Sequence, residues 1–600
     1  MHMLRFPSWL LAVALLAILL TLAAACSSAA DRGVAVSQQA PPAPQAPSAP
    51  QAPSASLDAK PQSPAIPASA AVPASAPAPV PAMIAGPQID RVIVGLSPVQ
   101  VENNIPRNTG PSFTPQFRPM YEYIVGVDPV TGALVPQLAT EWALDSGTTT
   151  FRIKLREDVQ FHNGWGEFTA KDVLHTFKDF TREDSQHAFG KKWRTYVTVE
   201  IVNDHEVLFH LEKADSEFLA NFAEQSGGGE IQSKANFDEA GDPKNVDAQP
   251  IASTGPYRWS ERRQGQYVRY SRVPYKHWRI PPDFPELEIR WLPESSTRLA
   301  ALITEEIHVA ELPGDQLIDA VGRGMQVVRG PVPALRTFLQ FYGTYYVDND
   351  PAKGRLYPDS PLLDPKVRRA LSKSINRNEL NQAFFQGKGE IMYNNHYHPG
   401  RLGWNPVWEE TFAEEFGYDP AAAMALLAEA GKSDLSITIA VVPLSGLPIN
   451  PNDVVEAAAG YFQAIGVDVK LQTFDGGAFR SACQRVPFEC DAHVKLARTS
   501  STQMLGLSVY RDSRISTGSG SLWNDVTPPR LRKIAETLNP AEQDGLYRDL
   551  GDVYLSMYME IPLFWIPAEA VVNPKFVSDW SFPGSISGTW THMDHIKAAR

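Results

Sequence analysis

The chain has 600 residues and a formal net charge of -13 at pH 7, with 43% hydrophobic and 10% aromatic residues. The excess of acidic residues excludes the broad positive surface that nucleic-acid-binding proteins use. After the first 88 residues the composition is that of a globular protein, and about 510 residues exceed one simple core, so we expect two or three packed units.

The N-terminus predicts export. Arg5 precedes an uncharged apolar run from Trp9 to Ala25, which is too compact and ends too abruptly for a membrane span and is typical of a signal peptide. The run ends in small residues before Cys26, which resembles the lipobox of bacterial lipoproteins, although Ala23 replaces the usual leucine. The resemblance implies that residues 1–25 are removed and that Cys26 is acylated. The alternative is an ordinary cleaved signal followed by a chance cysteine.

Residues 26–88 are predicted to form a disordered tether. From Gln39 to Pro87 the chain is almost wholly Ala, Pro, Ser and Gln, a composition that cannot bury enough apolar area to offset the entropy lost on ordering. Repeated proline favours extended polyproline II, so the tether has a reach of at most about 190 Å.

The first folded stretch predicts strands and then a helix. Arg91 to Leu96 is a strand-like run, and apolar and basic residues alternate from Phe151 to Arg156, which indicates an antiparallel strand with one buried face. Thr169 then provides an N-cap, and Asp172 lies three residues further on, where a carboxylate stabilises the first turn of a helix.

The later half predicts a parallel α/β unit. Helices are expected to begin after the cap pairs Asp364-Pro365 and Asp419-Pro420, and the second is expected to end at Gly431. A strand, a helix, a second strand and a third strand follow, at Leu435 to Val442, Asp453 to Ile465, Val467 to Phe474 and Cys490 to Leu496. We expect a right-handed parallel crossover in this unit.

Several segments, in order, resemble the extracytoplasmic solute-binding proteins of the peptide and nickel type. The opening signature spans Met120 to Trp142, and further similar segments extend along the chain at Phe151 to Val173, Ser253 to Tyr257, Ser296 to Leu302, Val367 to Leu371, Ala428 to Gly431 and Ile561 to Phe564. Because the order holds from Ile89 to the C-terminus, the resemblance covers nearly the whole globular part.

The resemblance implies an α/β, two-lobed periplasmic-binding-protein-like fold of type II, in the large peptide-binder class, with an extra antiparallel subdomain in the first lobe. The expected division is residues 89–330 for lobe I with this subdomain, 331–564 for lobe II, and 565–600 for a C-terminal return to lobe I. The ligand is expected between the lobes.

The implied function is capture of a peptide or similar small solute and its delivery to an ABC permease with separate ATPase subunits. The expected protein is a monomer outside the cell membrane, held there by the lipid anchor. A sensory co-receptor and a sugar-binding member of the same fold remain alternatives.

Catalytic and cofactor motifs are not evident. The chain contains no Gly-x-Ser-x-Gly sequence and no phosphate loop ending in Gly-Lys-Ser or Gly-Lys-Thr, so a lipid-anchored hydrolase has little support and no cofactor is expected. His205 and His210 are predicted on opposite faces of one strand, which excludes a shared metal. His396 and His398 are predicted on one face of a strand, but without a carboxylate or thiolate neighbour they are more typical of hydrogen-bonded groups than of metal ligands.

The ligand site is expected at the carboxyl ends of the later strands, where loops converge. Peptide binders of the family carry an aspartate after the third strand, whereas the run Lys495 to Thr502 has no carboxylate. Lys495, Arg498 and Ser500 therefore suggest a site for a carboxylate or another oxygen-rich group. The alternative is that Lys495 and Arg498 are solvated surface charges.

Aromatic residues in loop-like segments are further candidates for the walls of the cleft: Trp404, Trp523, Tyr393, Tyr345 and Tyr121. Each is more often a packing residue, and as a set they leave sugar stacking open. Cys483 and Cys490 are either a short-loop disulfide, which an oxidising exterior permits, or two unpaired core thiols.

Overall fold

The structure is a computed structural model. It describes residues 89–99, 102–108, 115–130, 133–187, 190–224, 229–242, 252–344, 346–347, 350–442, 451–474, 479, 482–483, 489–498, 527–582 and 590–600. The predicted signal peptide and tether, including Cys26, lie outside these residues.

The strands are β1 Arg91–Leu96, β2 Val125–Val127, β3 Leu134–Pro136, β4 Ala139–Leu144, β5 Thr150–Leu155, β6 Val197–Asn203, β7 Glu206–Leu211, β8 Tyr257–Arg263, β9 Tyr267–Arg272, β10 Glu286–Trp291, β11 Val309–Ala310, β12 Gln326–Phe341, β13 Glu390–Ile391, β14 Ser436–Val441, β15 Asp468–Thr473, β16 Ala492–Arg498, β17 Glu560–Val572, β18 Val577–Trp580 and β19 Ile596–Ala598. The helices are α1 Ala170–Phe180, α2 Gly190–Arg194, α3 Lys234–Ala240, α4 Ser295–Ile303, α5 Gly314–Gly322, α6 Pro365–Lys373, α7 Arg377–Phe385, α8 Val407–Phe416, α9 Pro420–Glu429, α10 Pro451–Ala464, α11 Thr527–Ala535 and α12 Pro540–Ser556.

Two long antiparallel strands, β12 and β17, connect the two lobes. The main sheet runs in the order β15, β14, β16, β12, β17, β11, β1, β10, β9, β8. One end of the β12–β17 pair joins Gln326 to Val572 beside β11, and the other joins Gln340 to Glu560 beside β16. The register of the pair shifts between Arg329 and Pro333 and again between Pro333 and Leu335. The chain therefore crosses between the lobes twice, and both crossings lie next to an irregular stretch of ladder.

Lobe I combines part of the main sheet with a separate antiparallel sheet. In the separate sheet, the strand order is β4, β5, β7, β6, and its inward side chains bury a second core that includes Phe151, Ile153, Phe209 and Phe222. The predicted alternation in β5 is confirmed, because Phe151, Ile153 and Leu155 are buried and the residues between them are exposed.

The helix caps of lobe I and lobe II confirm the sequence analysis. Thr169 and Asp172 form a reciprocal capping box at the start of α1. The Asp364 side chain accepts a hydrogen bond from Lys366 N at the start of α6, and Asp419 accepts one from Ala422 N at α9. Each cap satisfies a backbone donor that the first turn of a helix leaves without an intrahelical partner.

Lobe II contains the predicted parallel unit. β14 and β15 pair in parallel from Ser436 with Asp468 to Val441 with Thr473, and α10 lies between them in the chain. β16 also joins β14 in parallel, at Ile439 with Ala492. The expected strand-helix-strand arrangement and its third strand are therefore confirmed.

A buried ionic cluster attaches the C-terminal segment to lobe I. The Arg279 guanidinium donates to Glu122 at 2.9 Å and lies 2.7 Å from Asp594, and the Glu122 carboxylate is fully buried. One cation is thus shared by two carboxylates. Burial, with added repulsion from Asp594, raises the pKa of Glu122 to about 7 even though Arg279 favours its ionised form.

This cluster predicts a pH-dependent stability. Between its ordinary pKa of 4.5 and its folded value of about 7, Glu122 keeps a proton that the unfolded chain has lost, so the stability that this proton provides declines as pH rises through that window. As pH rises through this window, the unfolding free energy of Glu122→Gln should fall by on the order of 2 kcal/mol less than that of the wild type. Urea unfolding at pH 5 and pH 8 measures the difference; equal declines in both proteins would contradict this assignment.

Candidate functional site

The hinge strands bring the carboxyl end of the lobe II sheet close to lobe I. Leu335, at the end of the irregular stretch of β12, pairs with Ile566 on one side and with Arg498 on the other. Arg498 is the last residue of β16, so this strand ends at the hinge. Ligands of open α/β sheets bind at such ends. The loops at the carboxyl ends of these strands, residues 443–450, 475–478 and the run after Arg498, lie outside the described residues.

Helix α12 of lobe II contacts the antiparallel subdomain of lobe I. Gln543 Nε2 donates to Ser216 Oγ at 2.7 Å, and the Tyr547 hydroxyl donates to Glu217 Oε1 at 2.8 Å. Ser216 and Glu217 follow β7. Burial beside the Glu217 carboxylate raises the pKa of Tyr547 well above its ordinary value, so its hydroxyl remains a donor. The lobes are therefore in direct polar contact beside the cleft.

A buried polar cluster lies on the lobe II side of the hinge. Arg336, the residue after Leu335, is 6% exposed; its Nη1 donates to Asn395 Oδ1 at 2.8 Å and lies 3.0 Å from His396 Nε2. Asn395 Nδ2 in turn donates to the buried Glu560 carboxylate. Asn395 and Glu560, with Tyr554, also line a small adjoining cavity with a volume of about 20 Å³. These contacts hold the Arg336 guanidinium at the point where β12 enters lobe II.

Arg401 is a second cation in this region, and the sequence analysis did not identify it. Its side chain is half-buried. Burial, with repulsion from Arg336, lowers the pKa of Arg401 to about 10, and attraction from Glu217 of lobe I opposes this shift. The run Pro399 to Gly403 marks a loop in the sequence, but nothing in it shows that the loop packs on α12, where Gly403 N donates to Asp544 Oδ1.

The predicted aromatic residues are mostly packed against protein. The Tyr121 ring is 1% exposed in the core of lobe I, and its hydroxyl donates to Asn104 O at 2.9 Å, so the structure corrects its assignment to the cleft. Trp404 and Tyr393 lie beside each other with ring centroids 6.1 Å apart, and both pack against the core cluster of α8, α11 and α12. Both side chains remain partly accessible to solvent. Tyr345 and Trp523 lie outside the described residues.

The predicted basic residues of β16 are placed through their backbone. Lys495 pairs with Phe338 and Arg498 with Leu335 in the antiparallel ladder to β12. Arg498 is therefore the nearer of the two to the hinge. Ser500 lies outside the described residues.

The histidines differ from the strand geometry that the sequence suggested. His205 lies in the turn before β7, where its backbone N donates to Asn203 Oδ1, and not on the strand itself. His396 and His398 lie in and just after a turn closed by an Asn394–Tyr397 bridge, because His396 adopts a φ of 73°. They therefore do not share a strand face. Among the described residues, no three His, Cys, Asp or Glu side chains are arranged to hold a metal ion.

Cys483 and Cys490 are joined by a disulfide, with their Cα atoms 5.4 Å apart. Both are buried in a small cluster with Tyr342 and Phe479 beside the ends of β14 and β15. The disulfide lies within lobe II.

Within the described ranges, none of the helices combines the length and apolar character that a membrane span requires.

Residues 133–489 match the profile of the bacterial extracellular solute-binding proteins, family 5. The chain is 27% identical over 397 residues to the dipeptide-binding protein of Escherichia coli K12, which covers 62% of this chain and 69% of that protein. Among solved structures, it is similar to the ABC transporter-associated periplasmic binding protein DppA from Helicobacter pylori in complex with the peptide STSA, with a TM-score of 0.66, 20% identity and coverage of 85% and 98%.

A further similar structure is the periplasmic binding protein AgaA from A. tumefaciens R10 in complex with agropinic acid. It has a TM-score of 0.65 and 18% identity, and the match covers 85% of this chain and 99% of that one. These likenesses confirm the expected two-lobed type II fold. The hinge strands and the sheets on either side of them agree with this fold. The profile spans more than half of the chain, and the chain therefore belongs to the bacterial extracellular solute-binding proteins of family 5.

Proposed function

We propose that this protein captures a peptide or similar small solute in the cleft between its lobes and delivers it to an ABC importer with separate permease and ATPase subunits. It acts as a monomer and without catalysis, outside the cytoplasmic membrane, held there by lipid on Cys26. The E. coli relative is a dipeptide-binding protein, and the similar structures hold a peptide or agropinic acid, which supports a small solute as cargo.

The observation that carries the proposal is the pair of hinge strands with polar contacts across the lobes. Among the strands that the structure describes, only β12 and β17 run through both parts of the main sheet, and their ladder is irregular at the junction. A solute that touches both lobes stabilises the closed form by its differential affinity for that form. A difference of a few kcal/mol is sufficient to invert the open and closed populations. The permease can then recognise closure, whatever the solute.

Small-angle scattering tests the closure. An equimolar mixture of dipeptides and tripeptides should reduce the radius of gyration of the purified protein. Tyr547→Phe removes the 2.8 Å hydrogen bond to Glu217 across the lobes. The equilibrium constant for solute-dependent closure should therefore fall roughly fivefold.

Tyr397→Phe is the matched control, because its hydroxyl donates to Tyr547 O at 2.8 Å inside lobe II. It should leave the balance of open and closed forms unchanged. If no solute compacts the wild-type protein, or if the two variants behave alike, closure as proposed is wrong.

The lipid anchor is supported by the small residues before Cys26 and by the proline-rich stretch that follows. A labelled fatty acid should be incorporated into the full chain and not into Cys26→Ala, and the variant should be recovered free of membranes. Unlabelled wild-type protein would reject the anchor without affecting the solute-binding part of the proposal.

A further inference from the structure

Three prolines lie in the two strands that cross between the lobes. Pro331 and Pro333 belong to β12, and Pro567 belongs to β17. Pro333 and Pro567 are register partners in the ladder. Proline has no backbone N–H, so this pair cannot exchange the two hydrogen bonds that an antiparallel pair exchanges in a regular ladder. Three donors that a regular ladder uses are therefore missing at the junction of the lobes.

The strand β12 also carries extra residues at this junction. From Arg329 to Leu335 it advances six residues, whereas the partners of these two residues in β17, Glu569 and Ile566, are only three residues apart. Extra residues in one strand of a pair interrupt the ladder and bend the strand. Proline is tolerated at such irregular positions and is rare inside regular paired strands.

The same stretch has no lateral support from a third strand. β11 pairs with β17 at Val571 and Val572, and β16 pairs with β12 from Leu335 onward. Among the described strands, none besides β17 pairs with β12 between Gly330 and Ala334. A pair of strands by itself is only marginally stable. The crossing is therefore a two-stranded ribbon between two larger pieces of sheet.

Side-chain contacts hold both ends of this ribbon. At the lobe I end, Arg329 Nε donates to Glu569 Oε1 at 3.0 Å. At the lobe II end, Arg336 Nη1 donates to Asn395 Oδ1 at 2.8 Å, and Trp565, the register partner of Arg336, also pairs with β13. Rotation of one lobe against the other is thus confined to the ribbon between these two ends.

The prolines also restrict the shape of the ribbon. Each fixes its own φ near −65°, and each disfavours the helical region for the residue before it. The crossing strands therefore stay extended while ψ angles within the ribbon absorb a rotation. Because the prolines donate no ladder hydrogen bonds, such a rotation has fewer bonds to break than in a regular ladder. Hinges in proteins are typically a few residues of this kind.

We propose that Pro331, Pro333 and Pro567 form the pivot on which the lobes turn, by uncoupling the two crossing strands between Gly330 and Ala334 while keeping them extended. The inference rests on the proposed closure of the lobes and deepens it by naming the residues that set the rate of closure. Residues that restore the missing donors should stiffen the pivot.

The double variant Pro333→Val and Pro567→Val restores both donors of the proline pair in the full chain. We would mix it with dipeptides and tripeptides in a stopped-flow instrument and follow closure by tryptophan fluorescence. The rate constant of closure should fall roughly tenfold, the change that one or two net hydrogen bonds produce. Pro331→Val changes an exposed residue and restores one donor, so it should slow closure roughly threefold without disturbing buried packing.

Hydrogen–deuterium exchange of the unliganded protein tests the pivot without any solute. In the wild type, the amides of residues 330–334 should exchange faster than those of residues 335–341, which β16 supports. In the double variant, exchange of residues 330–334 should slow roughly tenfold. Equal exchange of the two segments in the wild type would contradict the inference.

Pro562→Val is the matched control, because it makes the same change in β17 inside lobe II, where Pro562 pairs with Phe338 and β16 supports β12. It should close at the wild-type rate. If the double variant also closes at that rate, or if Pro562→Val slows closure as much, the inference is wrong while solute binding stands. If no peptide changes the wild-type signal, the proposed function fails, and hydrogen exchange alone decides on the pivot.

Discussion

Arg377→Met is expected to destabilise the protein by about 3–5 kcal/mol, because it removes a buried cation that holds several backbone carbonyls. The guanidinium donates to Pro562 O at 2.9 Å, to Phe416 O at 2.8 Å and to Ser372 Oγ at 2.9 Å. These acceptors belong to β17 and to the ends of α8 and α6, so one side chain ties three elements of lobe II together. Burial lowers the pKa of Arg377 to about 9.

The matched substitution is Arg323→Met, which removes an exposed ion pair with Asp319. Such pairs contribute less than about 1 kcal/mol. Urea unfolding of both variants, followed by tryptophan fluorescence, compares the two losses. Similar midpoints for Arg377→Met and Arg323→Met would show that the buried hydrogen bonds of Arg377 do not stabilise lobe II.

Gly403→Ala should have the second largest effect, at about 3 kcal/mol, and it should also impair solute binding. Gly403 has a φ of 79°, and an added Cβ would lie 2.4 Å from Tyr547 Cβ and 2.9 Å from the Tyr547 carbonyl carbon. The backbone strain and the overlap add to each other. Because the neighbouring backbone belongs to a packed helix, the loop itself must move, and the contact of Tyr547 with lobe I is disturbed.

Gly400→Ala is a control in the same loop. A Cβ there meets only His398 Nδ1, at 3.7 Å, and the φ of Gly400 is not in the left-handed region. Its effect on stability should be small. Thermal unfolding and titration with Ala-Ala distinguish the two variants. Equal melting temperatures and equal affinities would mean that the close approach of the loop to α12 is unimportant.

Local signals in the sequence were sufficient for many elements of the fold. The capping pairs at Asp364 and Asp419 and the alternation from Phe151 to Leu155 each involve residues within one turn or one strand. Their physical causes are equally local, namely unsatisfied N–H groups at helix starts and the two-residue period of a strand. The structure confirms these elements for that reason.

The histidines and Tyr121 show where local reasoning fails. A single residue with positive φ, His396, converts an expected strand into a turn, and no pattern in the flanking sequence announces it. Tyr121 lies in a segment that looks like a loop, but the core of lobe I closes over it. Burial of this kind depends on elements that are distant in the chain.

The sequence by itself predicted export, and it determined the likeness to a family and the order of many strands and helices, because these follow from composition, periodicity and motifs. Only the tertiary structure decided which side chains meet between the lobes. Tyr547 and Glu217 are separated by 330 residues along the chain and meet only through packing in three dimensions. Such juxtapositions depend on how two strands cross between lobes, and a linear pattern does not encode that geometry.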